Sequence, residues 1–401
     1  MEKFEKLGLS KGLLEVLNGF GFKEPSEIQE KAIPLALAGR DIIGGSATGS
    51  GKTLVFASPI IENLKPNHHV QALILTPTRE LAEQVAKTIR RFLNKKELNV
   101  LAIYGGVDIN QQIRKIPNAD IVVGTPGRIL DHLNRRTLNL SSIKFLVLDE
   151  ADRMFDMGFH RDVEIILNQC PRERQTMMFS ATISNDIDYL AKKYTKNPVK
   201  ISVNSYVDPS LLTQIYYDVP AYNKFSLLVH LLNKNQTNLS MVFCGTRRNV
   251  DFIANNLKEV GINSKAIHGG LPQNKRIKIL EEFHLKKISV LICTDVAARG
   301  LDIKGISHIY NYDSPPTSED YIHRIGRTAR AGKEGKAISI LSNKDYENFR
   351  NISKDESLTI IPEKLPEFQI IKIEKNFSDR KKNNFNRNHQ RPMNNQNRRR
   401  R

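Results

Sequence analysis

The stretch Asp41-Ile-Ile-Gly-Gly-Ser-Ala-Thr-Gly-Ser-Gly-Lys-Thr53 decides the fold. Its apolar start reads as a short strand, its glycine-rich middle as a tight turn, and residues 53–64 as a helix. Strand, turn and helix start in that order leave backbone N–H groups free around an anion, here along Ser46, Ala47, Thr48, Gly49, Ser50 and Gly51. Lys52 then reaches the outer phosphates of a nucleotide, and the Thr53 hydroxyl is placed to ligate Mg2+. The generic phosphate-loop pattern has Gly where this chain has Ser46. Backbone amides make the contact, so a small residue serves there. The competing reading is a plain flexible Gly/Ser loop; Gly-Lys-Thr at a strand-to-helix junction tells against it.

Phe145-Leu-Val-Leu-Asp-Glu-Ala-Asp152 supplies the complementary half. A buried strand delivers carboxylates at its C-terminal end, where ligands bind in open α/β sheets. Asp149 is placed to hold Mg2+ through water, and Glu150 to orient and deprotonate an attacking water. Acids at a strand end are often helix caps, but a phosphate loop upstream weakens that reading.

Outward from these two stretches the alternation continues. Residues 72–75, 100–104, 120–123, 145–148 and 177–179 read as buried strands. Amphipathic helices lie between them, such as 79–93 with Leu81, Ala82, Val85, Ile89 and Leu93 on one face. The pattern pauses at 204–210, a polar stretch with a proline, then resumes with strands at 240–243, 265–267, 290–293, 308–311 and 337–341. The fold class is therefore α/β: two parallel-sheet domains, 1–203 and 211–374, joined by a linker. No internal sequence repeat is visible.

The 401 residues are 40% hydrophobic and 26% charged, which excludes collagen, coiled coil and a wholly disordered chain. No apolar run approaches the roughly 20 residues that span a bilayer. The start lacks the apolar core of a secretory signal, so a cytoplasmic protein with no membrane contact is expected. Cys170, Cys244 and Cys293 are widely spaced without a CxxC pair, which indicates core thiols rather than disulfides or zinc ligands. The net charge of +18 points to a polyanionic partner. Half of it lies in residues 375–401, where ten Lys or Arg stand against Asp379 alone; that Asn- and Arg-rich end reads as a disordered basic tail.

Asp149-Glu-Ala-Asp152 is the signature of the DEAD-box RNA helicases, and the chain resembles a full member of that family from about Phe4 to Ala337. The resemblance implies two RecA-like domains, ATP and Mg2+ as cofactors, and RNA as the partner. It also implies a Q motif in Gly21-Phe22-Lys-Glu-Pro-Ser26-Glu-Ile-Gln29, with Gln29 reading adenine, Phe4 stacking on it and Phe22 in the same site. An amide suits adenine, whose N7 and N6 present one acceptor and one donor. Pro77, Thr78 and Arg79, Gly105 and Gly106, and Thr125, Pro126, Gly127 and Arg128 would form the first domain's RNA track. Their helix N-termini, hydroxyls and guanidinium groups suit phosphate rather than base edges. Asp152, Ser180 and Thr182 would couple nucleotide state to RNA binding.

In the second half the resemblance assigns Thr246, Gln273, Arg276 and Thr294 to RNA, and Gly300 and Asp302 to the nucleotide. His323, Arg327 and Arg330 of His-Arg-Ile-Gly-Arg-Thr-Ala-Arg330 join the catalytic set, the two arginines as fingers on the γ-phosphate. One departure stands out: His268-Gly-Gly carries Gly270 where the family commonly has an acid, which leaves the hydrogen bonding of that turn in doubt. The implied activity is ATP-dependent, local and non-processive unwinding or remodelling of short RNA duplexes by a monomer. Two alternatives stand beside it. An ATP-gated RNA clamp would be marked by a degraded hydrolytic residue, yet Glu150, His323 and Arg330 are present. A processive DNA translocase would share the phosphate loop but not the Q motif.

Overall fold

The computed structural model describes residues 1–45, 49–93, 96–180, 185–203, 211–235, 239–298, 303, 305–329 and 334–372. Ser46, Ala47, Thr48, Thr182, Gly300, Asp302, Arg330, the linker 204–210 and the whole basic tail 375–401 lie outside the described residues.

Seven strands form the first sheet: β1 Ile42–Gly45, β2 Ala72–Leu75, β3 Val100–Ile103, β4 Ile121–Gly124, β5 Phe145–Leu148, β6 Gln175–Ser180 and β7 Val199–Ser202. They lie parallel in the order β3-β4-β2-β5-β6-β1-β7. Helices cover both faces, so alternate side chains of one strand enter different cores. Ala72 and Ile74 join the cluster around Phe56 and Phe179, whereas Leu73 and Leu75 join the one around Met154 and Ile166. Each such Leu or Ile is fully buried, which stabilises the fold by about 1.5–3 kcal/mol.

The second sheet contains β8 Leu212–Asp218, β9 Leu239–Phe243, β10 Ser264–Ile267, β11 Val290–Cys293, β12 Ile306–Asn311, β13 Gly335–Leu341 and β14 Ile361–Pro362. Its order, β10-β11-β9-β12-β13-β8-β14, is that of the first sheet shifted by seven strands. The chain is thus a duplication in topology, two RecA-like domains in tandem, although no sequence repeat announces it. β7 and β8 escape a reading based on apolar runs because both alternate: β7 pairs on one side only, and β8 has only two-residue β14 beyond it. Among the described residues no helix is long and apolar enough to cross a membrane.

Candidate active site and nucleic-acid interface

The described residues Lys52, Thr78, Gly105, Thr125 and Asp149 all follow a strand of the first sheet, at the end where the parallel strands hand over to helices. After β1 the helix Lys52–Asn63 begins with Gly51 as its N-cap at φ 95°, in the left-handed region that favours glycine. A Cβ at Gly51 would collide with the Gln29 amide. Gln29 Nε2 donates to the Gly51 carbonyl at 3.1 Å, Ser26 Oγ donates to the Ser50 carbonyl at 2.7 Å, and Ser26 N–H donates to Gln29 Oε1 at 3.0 Å. Gln29 therefore caps its own helix and braces the phosphate loop, and it is buried rather than an exposed helix residue. Phe4 also departs from the expectation of a base-stacking face. Its ring is 0% exposed and packs edge-on against Phe22 with centroids 6.2 Å apart, in the core beneath the Q motif.

Asp149 and Glu150 follow β5 and are both buried. Lys52 Nζ lies 3.4 Å from Asp149 Oδ1, so phosphate-loop cation and carboxylate neutralise each other. Glu150 stands in the left-handed region at φ 54°, ψ 52°, a conformation that costs a non-glycine residue about 1 kcal/mol or more and marks functional turns. Burial pushes its carboxyl above the ordinary glutamate range, Asp149 adds to the rise, and the positive charges of Lys52 and Arg327 oppose it. Arg327 belongs to the second domain, so the base is within the field of the opposite half of the molecule. Asp149 Oδ1 and Glu150 Oε1 are buried without a hydrogen-bond partner among the described residues, which fits a hydrated cation and a water held there. His323 Nδ1 is likewise buried without a hydrogen-bond partner among the described residues. Asp152 and Ser180 are buried close to the strand ends.

A cavity of about 490 Å3 runs between the domains and is lined by Pro77, Thr78, Arg79, Gly105, Thr125, Gly127 and Arg128 on one side. Gly269, Arg276 and Val296 line the other. It gathers most of the expected RNA-track residues of the first domain; Gly106 and Pro126 are not in its lining. Thr78 caps the helix Arg79–Leu93, accepting from Leu81 N–H at 3.3 Å, and the Arg79 guanidinium lies against Gly105 and Gly106, the latter at φ 82° in the left-handed region that favours glycine. The second domain repeats this piece. Thr246 caps the helix Arg247–Glu259 with Asn249 N–H at 3.1 Å, and the Arg247 guanidinium lies over Gly269. Gly269 and Gly270 are thus the counterparts of Gly105 and Gly106. His268 settles the hydrogen bonding of its turn: Nδ1 accepts from Gly270 N–H at 3.1 Å, and Nε2 is 2.9 Å from Asp251.

Gln273 and Arg276 do more than face the cavity. Both turn to Glu80 of the first domain, Gln273 Nε2 at 2.6 Å and Arg276 Nη2 at 3.0 Å. A second bridge links Arg153, next to Asp152, to Asp320 on the helix Ser318–Ile325 at 3.7 Å. The sequence reading missed Glu80, Arg153 and Arg247. Glu80 lies inside the quoted Pro77–Leu81 stretch, and Arg247 follows Thr246 as Arg79 follows Thr78, which is the signal that could have found it.

The pattern of the DEAD/DEAH box helicases matches residues 26–190, and that of the helicase conserved C-terminal domain matches 223–332. The ATP-dependent RNA helicase CshA of Listeria monocytogenes is 45% identical over 369 residues, 91% of this chain and 71% of that protein. This chain belongs to the DEAD-box helicase family. A DEAD box protein from Methanococcus jannaschii is 45% identical, covers 90% of this chain and 99% of its own, and gives a TM-score of 0.56. Dbp5 of S. cerevisiae bound to RNA and ADP BeF3 is 31% identical, covers 90% and 95%, and gives 0.81. The more distant sequence superposes better on this DEAD-box chain.

Proposed function

We propose that this chain couples ATP hydrolysis to local, non-processive separation of short RNA duplexes. As a DEAD-box helicase it is an enzyme, an RNA-dependent ATPase. The observation that carries the finer reading is Glu150, a buried base whose charge environment includes Arg327 from the other domain.

Gln29 and the loop it braces bind the nucleotide, and Lys52, paired with Asp149 here, turns to the outer phosphates. Thr53 and Asp149 would hold Mg2+, which supplies charge neutralisation on the phosphates. Glu150, whose carboxyl pKa is raised by burial while Lys52 and Arg327 oppose the rise, takes the proton of the attacking water in its ionised form. Arg327, with Arg330, stabilises the charge that develops on the γ-phosphate. Hydrolysis therefore needs both domains together. The cavity spans the same cleft, and Thr78, Arg79, Gly105, Thr125, Arg128 and Thr294 grip backbone phosphates from two bodies. Closing bends the bound strand out of duplex geometry, and product release reopens the cleft. Both halves of the site come from one chain, which supports action as a monomer.

The test is ATP turnover with RNA and with DNA of one sequence, and strand separation of duplexes of about one and about three helical turns. RNA-selective stimulation with loss of unwinding on the longer duplex is expected. Equal stimulation by DNA, or unwinding that does not depend on length, contradicts the reading.

A further inference from the structure

Gln112 lies on the helix Ile109–Lys115 and is 5% exposed, a polar side chain taken almost wholly out of water. Its amide is engaged at both the nitrogen and the oxygen. Nε2 donates to the Tyr104 carbonyl at 3.0 Å, the peptide that enters Gly105-Gly106. Oε1 accepts from Arg128 Nη1 at 3.0 Å and from His132 Nε2 at 3.0 Å. The orientation of the amide is unambiguous, because a guanidinium only donates and a carbonyl only accepts. His132 is itself 0% exposed, and its Nδ1 lies 2.8 Å from Thr137 Oγ1. Burial, and then the nearby Arg128 charge, push its pKa below the ordinary histidine range, so the ring stays neutral with its proton on the Nε2 that faces Gln112. Arg128 also donates from Nη1 and Nη2 to the Val107 carbonyl at 3.3 Å each.

Two of the three turns that line the first-domain side of the cavity therefore meet at one amide. We propose that Gln112 is a positioning residue: it locks the Gly105-Gly106 turn to the Thr125–Arg128 turn and so fixes the direction in which Arg128 faces the bound strand. The proposal rests on the reading of this cavity as the RNA track. The hydrogen-bond partners of Gln112 are the shoulders of that track, and a side chain that only filled space at this point would need no amide. The second domain gives a contrast. Arg276 stands nine residues past the end of β10, as Gln112 stands nine past the end of β3, and it reaches across the cleft to Glu80. The same register position thus serves closure in one domain and preorganisation in the other.

The test is Gln112→Leu in the full chain, read as RNA half-saturation of the ATPase, turnover at saturating RNA, KM for ATP, and melting temperature. Loss of the shared acceptor leaves Arg128 held by the Val107 carbonyl without the Gln112 link to the Gly105-Gly106 turn, and RNA half-saturation should rise about tenfold while turnover and KM for ATP stay within about twofold. Gln112→Glu keeps the size and polarity of the side chain. Its carboxylate would hold Arg128 away from phosphate, so the same rise is expected and decides the matter should the Leu variant not fold. Arg79→Ala, on the same track, reports on the track itself. A rise for Arg79→Ala with none for either Gln112 variant overturns the proposal. No rise for any variant overturns the reading of the track as well. Equal worsening of RNA half-saturation and KM for ATP, with a fall in melting temperature, shows a merely structural glutamine and also overturns the proposal.

Discussion

Glu80 and Arg276 meet across the interdomain cleft at 3.0 Å, both buried, while Gln273 donates to the other carboxylate oxygen at 2.6 Å. Burial lowers the pKa of Arg276, and the Glu80 carboxylate acts against that shift. A charge pair of this kind is worth little as a general stabiliser but much as a condition. It is satisfied only when the two sheets stand in this relation.

Glu80→Ala should therefore weaken closing rather than either domain. In the closed form Arg276 would be buried without its counter-charge, at a cost of up to about 3 kcal/mol. RNA affinity in the presence of a non-hydrolysable ATP analogue should fall about 10- to 100-fold, with RNA binding in its absence nearly unchanged. Fluorescence anisotropy with labelled single-stranded RNA measures both. An unchanged affinity with the analogue would mean that the pair does not gate closure.

The raised pKa of Glu150 sets the direction of two pH effects. As a base it must be ionised, so turnover should fall with decreasing pH along a limb whose midpoint lies above the 4.5 of an unperturbed glutamate. For stability the sign is opposite. A carboxyl whose folded pKa is raised favours the fold while protonated, and that contribution is lost as pH rises through the ordinary glutamate pKa to the raised folded one. Glu150→Gln should thus lose turnover by about 10² or more and melt about 2 °C or more higher at pH 7. A variant of lower melting temperature would show that the carboxylate is stabilised here, not strained.

Lys52 and Asp149 form a buried pair at 3.4 Å, so Lys52→Ala removes more than a phosphate contact. ATP hydrolysis should be abolished, and the fold should lose up to about 3 kcal/mol because Asp149 keeps a buried charge without its partner. Lys52→Ala with Asp149→Asn should recover most of that stability and none of the activity. Thermal melts of the single and double variants decide the point. Equal melting temperatures for both would mean that the pair carries no stability.

The basic end of the chain leads to a prediction from charge alone. Residues 376–401 hold nine Lys or Arg against Asp379, and deleting them should flatten the salt dependence of RNA binding by about 0.7 for each phosphate they neutralise. RNA-independent ATPase should not change. A salt slope equal to that of the full chain identifies the segment as a solubilising end.

Much of the fold was legible because parallel strands covered on both faces are continuous apolar runs: Ala72–Leu75, Phe145–Leu148 and Val290–Cys293 fall where the runs predict them. β7 and β8 did not announce themselves, since edge or near-edge strands share their burial with polar positions. The nucleotide site was legible as motif, but the jobs of its residues were not. Gln29 and Phe4 could be assigned to adenine only by resemblance, whereas their contacts brace the phosphate loop and fill the core. Glu80 and Gln112 look like ordinary helix polars in sequence. Their roles arise from partners 193 and 16 residues away, Gln273 and Arg128, which only the folded chain brings near. Gly270 leaves the hydrogen bonding of its turn open in sequence; beside Gly105-Gly106 it is half of a duplicated element.

The central claim is that one catalytic site is shared by two domains, and Arg327→Ala tests it most directly. Arg327 is buried in the second domain, yet its charge acts on Glu150 in the first. RNA-stimulated ATP turnover of the full-length variant should fall by about 10³ or more, with nucleotide binding, measured by a fluorescent ATP analogue, within a few-fold of the parent. Turnover within about threefold of the parent chain would contradict a composite site and return catalysis to the first domain alone.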